Sequence, residues 1–246
     1  MVDEGHEFKW DENRREKFWN VWASIPIFHT AHFSENYFQI PMNVFRPYFE
    51  GKLSILDVGF ASGKILIDLS KMGHDCYGID ASTKTVSEFK KRVVMEKVNV
   101  EADVGNVTRM PYADEKFDRV FTMELFEHLF DHEVRDGFKE INRVLKRSGL
   151  LLMTSPYAED LEAHKVLCPE CYAVFHPVQH IQSFNEGKMQ KLLTDSGFKT
   201  IVLKKTWIYA TPRHWIQATY LRTRRFVSDL FDLKPNEMII VAKKER

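Results

Sequence analysis

The stretch ILDVGFASGKILIDL, Ile55 to Leu69, decides the fold. Ile55, Leu56 and Val58 make a short apolar strand, and Gly59-Phe60-Ala61-Ser62-Gly63 turns the chain. Ile65, Leu66, Leu69 and Met72 then recur at helical spacing until Gly73 stops the helix. A buried strand feeding a glycine turn and a helix N-terminus is where α/β proteins bring backbone close to a nucleotide-like ligand. Glycine permits it because no Cβ holds the ligand off.

Charge beside the turn narrows the ligand. A dinucleotide sets an anionic pyrophosphate over a G-x-G-x-x-G turn. Here the spacing is G-x-x-x-G, and Asp57 stands at the strand end just before the first glycine. A carboxylate there repels a pyrophosphate and suits the ammonium and sulfonium charges of S-adenosylmethionine (SAM). The segment HDCYGIDAS, His74 to Ser82, ends a second apolar strand at Asp80. That position, about twenty residues on, suits a carboxylate that binds a ribose diol. Both ligand classes carry a ribose, so Asp80 alone does not discriminate.

The segment GNVTRMPYADEKFDRVFTMELFEHL, Gly105 to Leu129, resembles the middle of class I SAM-dependent methyltransferases of the type 11/23 kind. The counterparts of that family's acid or amide, Leu-Pro-Phe and Phe-Asp are Asn106, Met110-Pro111-Tyr112 and Phe117-Asp118. INRVLKRSGLLLMTSP, Ile141 to Pro156, is similar to its helix, tight turn and fifth strand. The resemblance runs from about Leu53 to the C-terminus, with the motifs in order. It implies a Rossmann-like, doubly wound seven-stranded sheet whose last strand is antiparallel and inserted between strands five and six. It also implies SAM contacts: Asp57, Gly59, Ala61 and Gly63 around the amino-acid end, Asp80 on the ribose, Asn106 and Val107 at the adenine, and Met123 and Glu124 from the far side. Ala61 departs from the glycine many relatives carry, and Asn106 keeps the acceptor oxygen of the commoner aspartate without its charge.

At 246 residues, 44% hydrophobic and formally neutral, the chain reads as one globular domain with room for a full α/β core. Neutrality gives no case for a nucleic-acid partner. No apolar run reaches membrane-spanning length, no signal peptide stands out, and three unevenly spaced cysteines make no disulfide framework, so a cytoplasmic location is expected. Pattern and punctuation predict strands at Ser54–Val58, Asp75–Ile79, Val98–Asp103, Arg119–Met123, Leu150–Thr154, Phe198–Trp207 and Glu237–Lys243. Helices are expected at Ser62–Met72, at Thr83–Met95 behind an N-cap at Ser82, and from about His132 to Lys146. Another opens on a capping box at Ser183–Glu186 and closes at Gly197.

Residues 1–50 precede this core, residues 51–246, and are rich in aromatics. A helix over Glu12–Trp22 and a second over Tyr37–Phe49, kinked near Pro41, are expected to pack on the sheet and to form a lid over the cofactor. His29, His32 and Tyr37 are its polar-tipped residues. Between the last two strands, residues 208–235 carry Arg213, Arg222, Arg224 and Arg225 among apolar side chains. Such a basic amphipathic helix packs on the domain, makes peripheral membrane contact or contacts an anionic acceptor, and packing is the more common outcome.

Two further clusters bear on chemistry. Glu124, Glu127, His128 and His132 fall where the resemblance places the acceptor, and His128 is the candidate general base because imidazole titrates near neutrality. CPECYAVFHPVQH, Cys168 to His180, has the spacing C-x2-C-x4-H-x3-H. Cys168, Cys171, His176 and His180 would close a structural zinc shell, unless the cysteines are a redox pair or incidental to histidines that line the acceptor pocket. The resemblance implies a methyltransferase, and because no basic stripe interleaved with base-stacking aromatics stands out beyond the Arg213–Arg225 insert, a small-molecule, glycan or lipid-linked acceptor is expected rather than nucleic acid. A non-catalytic SAM-binding protein and a dinucleotide-dependent oxidoreductase are the rival readings.

Overall fold

The computed structural model describes residues 5–25, 33–37, 39–207 and 235–245. Its N-terminal elements are β1 (His6–Glu7), α1 (Glu12–Trp22), α2 (Phe33–Asn36) and α3 (Gln39–Phe45). Then come β2 (Ser54–Val58), α4 (Lys64–Lys71), β3 (Asp75–Asp80), α5 (Thr83–Glu96), β4 (Val100–Val104), β5 (Phe117–Met123) and α6 (Asp131–Val144). The chain closes with β6 (Leu145–Pro156), β7 (Val166–Leu167), β8 (Ala173–Phe175), α7 (Glu186–Asp195), β9 (Phe198–Thr206) and β10 (Glu237–Lys244).

Seven strands form one sheet in the order β4-β3-β2-β5-β6-β10-β9. The first five run parallel, and β10 is antiparallel to both β6 and β9. This is the expected doubly wound sheet with its inserted antiparallel strand. Alternation along the strands feeds two cores. Leu56, Val120 and Leu151 join Phe138 and Ile141 of α6 on one face. Ile55, Phe121 and Leu152 join Leu66 and Leu69 of α4 and Phe89 of α5 on the other. Neighbouring residues thus enter opposite cores, as the period of two requires.

The topology also fixes where a ligand can sit. From β2 the chain steps outward to β3 and β4, then returns to β5 on the other side of β2. The crossovers leaving β2 and β5 part company, opening a crevice beyond the carboxyl ends of these strands. Helix α1 is tied to that edge. Arg15 makes a two-pronged ion pair with Glu133, Trp19 Nε1 donates to Gln179 Oε1 at 2.9 Å, and Asn20 Oδ1 accepts from Ser82 Oγ at 2.7 Å.

Local details correct two expectations. Helix α7 is capped by Asn185, which accepts the Lys188 N–H at 2.9 Å, and not by Ser183. Phe184 is fully buried and its carbonyl accepts the Ala158 N–H, which keeps the chain extended through Ser183. The expected helix at Tyr37–Phe49 is α3 plus a 3-10 turn at Arg46–Tyr48, with Pro41 in the first turn of α3, where its missing N–H costs little. The Ser82 cap of α5 forms as expected.

Gly63, the N-cap of α4, has φ +68°, and a Cβ there would fall 2.0 Å from the Phe89 ring. Gly63→Ala combines left-handed strain with overpacking. It is expected to cost about 2–4 kcal/mol, read as a lower urea midpoint at unchanged slope.

Candidate functional site

The glycine turn is held by its own backbone and by one carboxylate. The Gly59 N–H donates to Ile79 O at 2.8 Å, and the Gly63 N–H to Phe60 O at 2.8 Å. Asp80, at the end of β3, accepts from the Ala61 N–H at 3.3 Å and the Ser82 N–H at 2.9 Å. Ala61 itself is left-handed, φ +49°, so the turn adopts a glycine-like conformation there despite the methyl group.

Asp57 is 1% exposed, and its Oδ1 has no hydrogen-bond partner. Burial, and next the nearby Asp80, push its carboxyl up to about 8. Burial likewise lifts Asp80 to about 6, against the pull of its two backbone N–H donors. Leaving a buried acceptor unmatched costs about 1–3 kcal/mol. A cationic ligand end supplies the missing donor; a pyrophosphate would add repulsion. The residues therefore fit SAM.

The other expected SAM contacts surround the same edge. Asn106 is exposed and folds its Oδ1 back onto the Thr108 N–H at 2.9 Å, while Val107 is buried. Met123 ends β5, buried. Glu124 follows in a left-handed conformation, φ +51°, and accepts from Thr154 Oγ1 at 2.5 Å. Burial raises its carboxyl to about 7.

Next comes a 3-10 turn, Phe126–His128, clamped to residues 179–182: the Glu127 carbonyl accepts from the N–H of Ile181 and Gln182, and the His128 carbonyl from Gln179 Nε2. The His128 ring meets Trp19 edge-on at 4.8 Å between centroids, and its Nδ1 lies 3.3 Å from Gln179 O. Burial and the neighbouring His180 push its pKa down to about 3. In the ligand-free chain this disfavours protonation of the imidazole, which weighs against the general-base role its position suggests. His132 is exposed and stands apart, its Nε2 3.9 Å from Glu12.

The structure does not assemble the expected zinc shell. Cys168 and Cys171 sit at the tip of the β7–β8 hairpin, where the Tyr172 N–H closes back on the Cys168 carbonyl. His176 and His180 lie beyond the other end of β8, and the three residues of that strand span about 10 Å. His180 Nδ1 instead meets Glu159 Oε2 at 2.6 Å, and His176 Nε2 lies 3.3 Å from Glu159 Oε1. Two members of this edge escaped the sequence reading: Glu159, and Glu237 at the start of β10, which faces Glu124 and whose carboxyl burial raises well above the usual range. No local motif marks either. His29, His32 and the 208–235 insert, apart from Pro235, lie outside the described residues.

The strand order and the inserted antiparallel strand are those of the class I SAM-dependent methyltransferase fold. Residues 56–153 match the methyltransferase domain family. Among curated relatives, the chain is 32% identical over 108 residues to the uncharacterized methyltransferase YcgJ of Bacillus subtilis, covering 43% of this chain and 42% of that one. It is 31% identical over 116 residues to a ubiquinone biosynthesis O-methyltransferase of Sinorhizobium fredii, covering 42% and 47%. The chain thus spans less than half the length of these two relatives. A SAM-dependent methyltransferase structure from Methanosarcina mazei superposes with a TM-score of 0.63 at 20% identity, over 82% of this chain and 96% of that one.

The two aspartates make stability depend on pH. Each binds its proton more tightly folded than unfolded, so the stability they contribute is full below about pH 4 and is lost as pH rises toward about 8. The melting temperature of the ligand-free protein should therefore fall between pH 5 and pH 8.5 (roughly the window those shifts define). Asp57→Asn should flatten that fall and melt higher at the alkaline end; an unchanged slope would contradict the assignment.

Proposed function

We propose that this chain transfers a methyl group from SAM to a small-molecule acceptor. The observation that carries this reading is the unmatched Asp57 carboxylate, buried beside the glycine turn at the switch point of a methyltransferase fold. SAM supplies an activated methyl whose departure leaves the sulfur as a neutral thioether. The chain's own residues do the positioning. Asp57 orients the ammonium end, the Gly59–Gly63 turn receives the amino-acid portion, and Asp80 holds the ribose. Asn106 and Val107 flank the adenine, and Met123 and Glu124 close the far side.

Because the leaving group is already activated, alignment of donor and acceptor and exclusion of water supply most of the rate. Helix α1, fixed across the strand ends through Arg15, Trp19 and Asn20, serves as the lid. The O-methyltransferase relative favours a small acceptor with a hydroxyl group; a glycan or lipid-linked acceptor extends the same chemistry. Peripheral membrane contact is a role for the Arg213–Arg225 region, and no helix among the described residues is long and apolar enough to cross a membrane.

Two measurements test this reading. Isothermal titration should show SAM binding that weakens about 10- to 100-fold in Asp57→Asn, the loss of one charge-assisted hydrogen bond. Methyl-labelled SAM incubated with the protein and extract from its source should label a small-molecule fraction, and Asp80→Ala should abolish that labelling. SAM binding with no acceptor labelled would favour a non-catalytic binding protein, and no SAM binding would refute the reading.

A further inference from the structure

We propose that Glu127, His128 and His180 form a binding site for one divalent metal cation beside the cofactor crevice. Their ligand atoms, a carboxylate oxygen and one ring nitrogen from each histidine, lie within 4.8 Å of one another. Three donors held by one metal with bonds of about 2.0–2.2 Å stand about 3.0–3.8 Å apart, so side-chain adjustments of up to about 1 Å close the shell.

Hydrogen bonding leaves the right lone pairs free. His180 Nδ1 lies 2.6 Å from Glu159 Oε2, so it carries the proton and directs its Nε2 lone pair the other way. His128 Nδ1 faces the Gln179 carbonyl at 3.3 Å, which likewise leaves its Nε2 as the open nitrogen. A ring N–H bound to a carboxylate or carbonyl is the usual support behind a metal-binding imidazole. His176 completes that support: its Nδ1 accepts the His180 N–H at 3.2 Å, which turns its Nε2 toward Glu159 Oε1.

Glu127 gives the independent sign of a ligand. It is 0% exposed, and neither carboxylate oxygen has a hydrogen-bond partner. Among the described residues, no lysine or arginine pairs with Glu124, Glu127, Glu159 or Glu237. Four carboxyl groups and three imidazoles without a balancing cation suit a bound metal better than an ammonium group, which would leave the imidazole lone pairs unused. Two imidazoles and one carboxylate suit zinc, manganese or iron and leave positions open. On the methyltransferase reading above, an acceptor hydroxyl docks at an open position and gives up its proton to solvent as its oxygen takes the methyl group.

Manganese(II) is the probe, because it prefers oxygen and nitrogen donors and passes over the Cys168–Cys171 pair. The full chain, stripped with chelator and free of SAM, is titrated with manganese and followed by electron paramagnetic resonance. The expected result is one saturable site. Its affinity should fall about 100-fold in His180→Ala and in the isosteric Glu127→Gln, about tenfold in Glu159→Gln, and not at all in Cys168→Ser. Circular dichroism and SAM calorimetry on the same samples establish that each variant is folded. Absence of a saturable site, or one indifferent to both Glu127→Gln and His180→Ala, overturns the proposal. Manganese binding without SAM binding would overturn only the methyltransferase reading, and SAM binding without manganese only the metal site.

Discussion

A parallel sheet ends its strands on one edge, and here that edge is paved with carboxylates. Asp57, Asp80, Glu124 and Glu127 close or follow β2, β3 and β5, and Glu237 opens the antiparallel β10 beside them. The sheet's apolar body fixes their positions, since Ile55, Leu56, Val120 and Phe121 lock the strands into two cores. Several of these acids are therefore desolvated by the same packing that makes the fold stable. The remaining features of the edge answer that electrostatic cost.

The answers differ along the edge. Around Asp80 the backbone responds: two N–H groups from the glycine turn and the start of α5 stabilise the carboxylate, and they bind the turn to β3 in doing so. Asp57 keeps an unmatched oxygen, which leaves it ready for a ligand cation. Farther along, the 3-10 turn at Phe126–His128 is clamped by backbone bonds to residues 179–182 while the Glu127 carboxylate makes no hydrogen bond. Rigid backbone around unsatisfied acids is what a pre-organised cation site requires, because reorganisation is then complete before the ligand arrives.

Much of this was legible in sequence because the information was local. The period of two in Ile55–Val58, the turn glycines and the Ser82 cap each act over a few residues, and helix α1 runs over Glu12–Trp22 as the pattern predicts. The C-x2-C-x4-H-x3-H spacing misled for the converse reason. Spacing does not say whether the intervening chain folds back, and a strand at Ala173–Phe175 carries the histidines away from the cysteines. Glu237 was invisible because only its β6–β10 pairing with Pro156, more than eighty residues away in sequence, brings it to the edge; Glu159 was invisible because its partners His176 and His180 come from a later loop. The lowered basicity of His128 was out of reach of the sequence, since its burial and the approach of His180, which is no sequence neighbour, cause it.

These observations bear on how stability and function trade against each other. An edge of buried acids makes the ligand-free protein less stable than an apolar or amide-bearing variant would be. A ligand that binds only the folded chain returns that stability as it binds, by mass action. Asp57 is the clearest instance: amidation relieves its desolvation and at the same time removes the charge proposed here to recognise the cofactor's ammonium group. The same logic extends to Glu127, which lies too deep to be hydrated and too far from any described lysine or arginine to be paired. On the proposed metal site, a carboxylate in that position contributes to the molecule through the cation it binds.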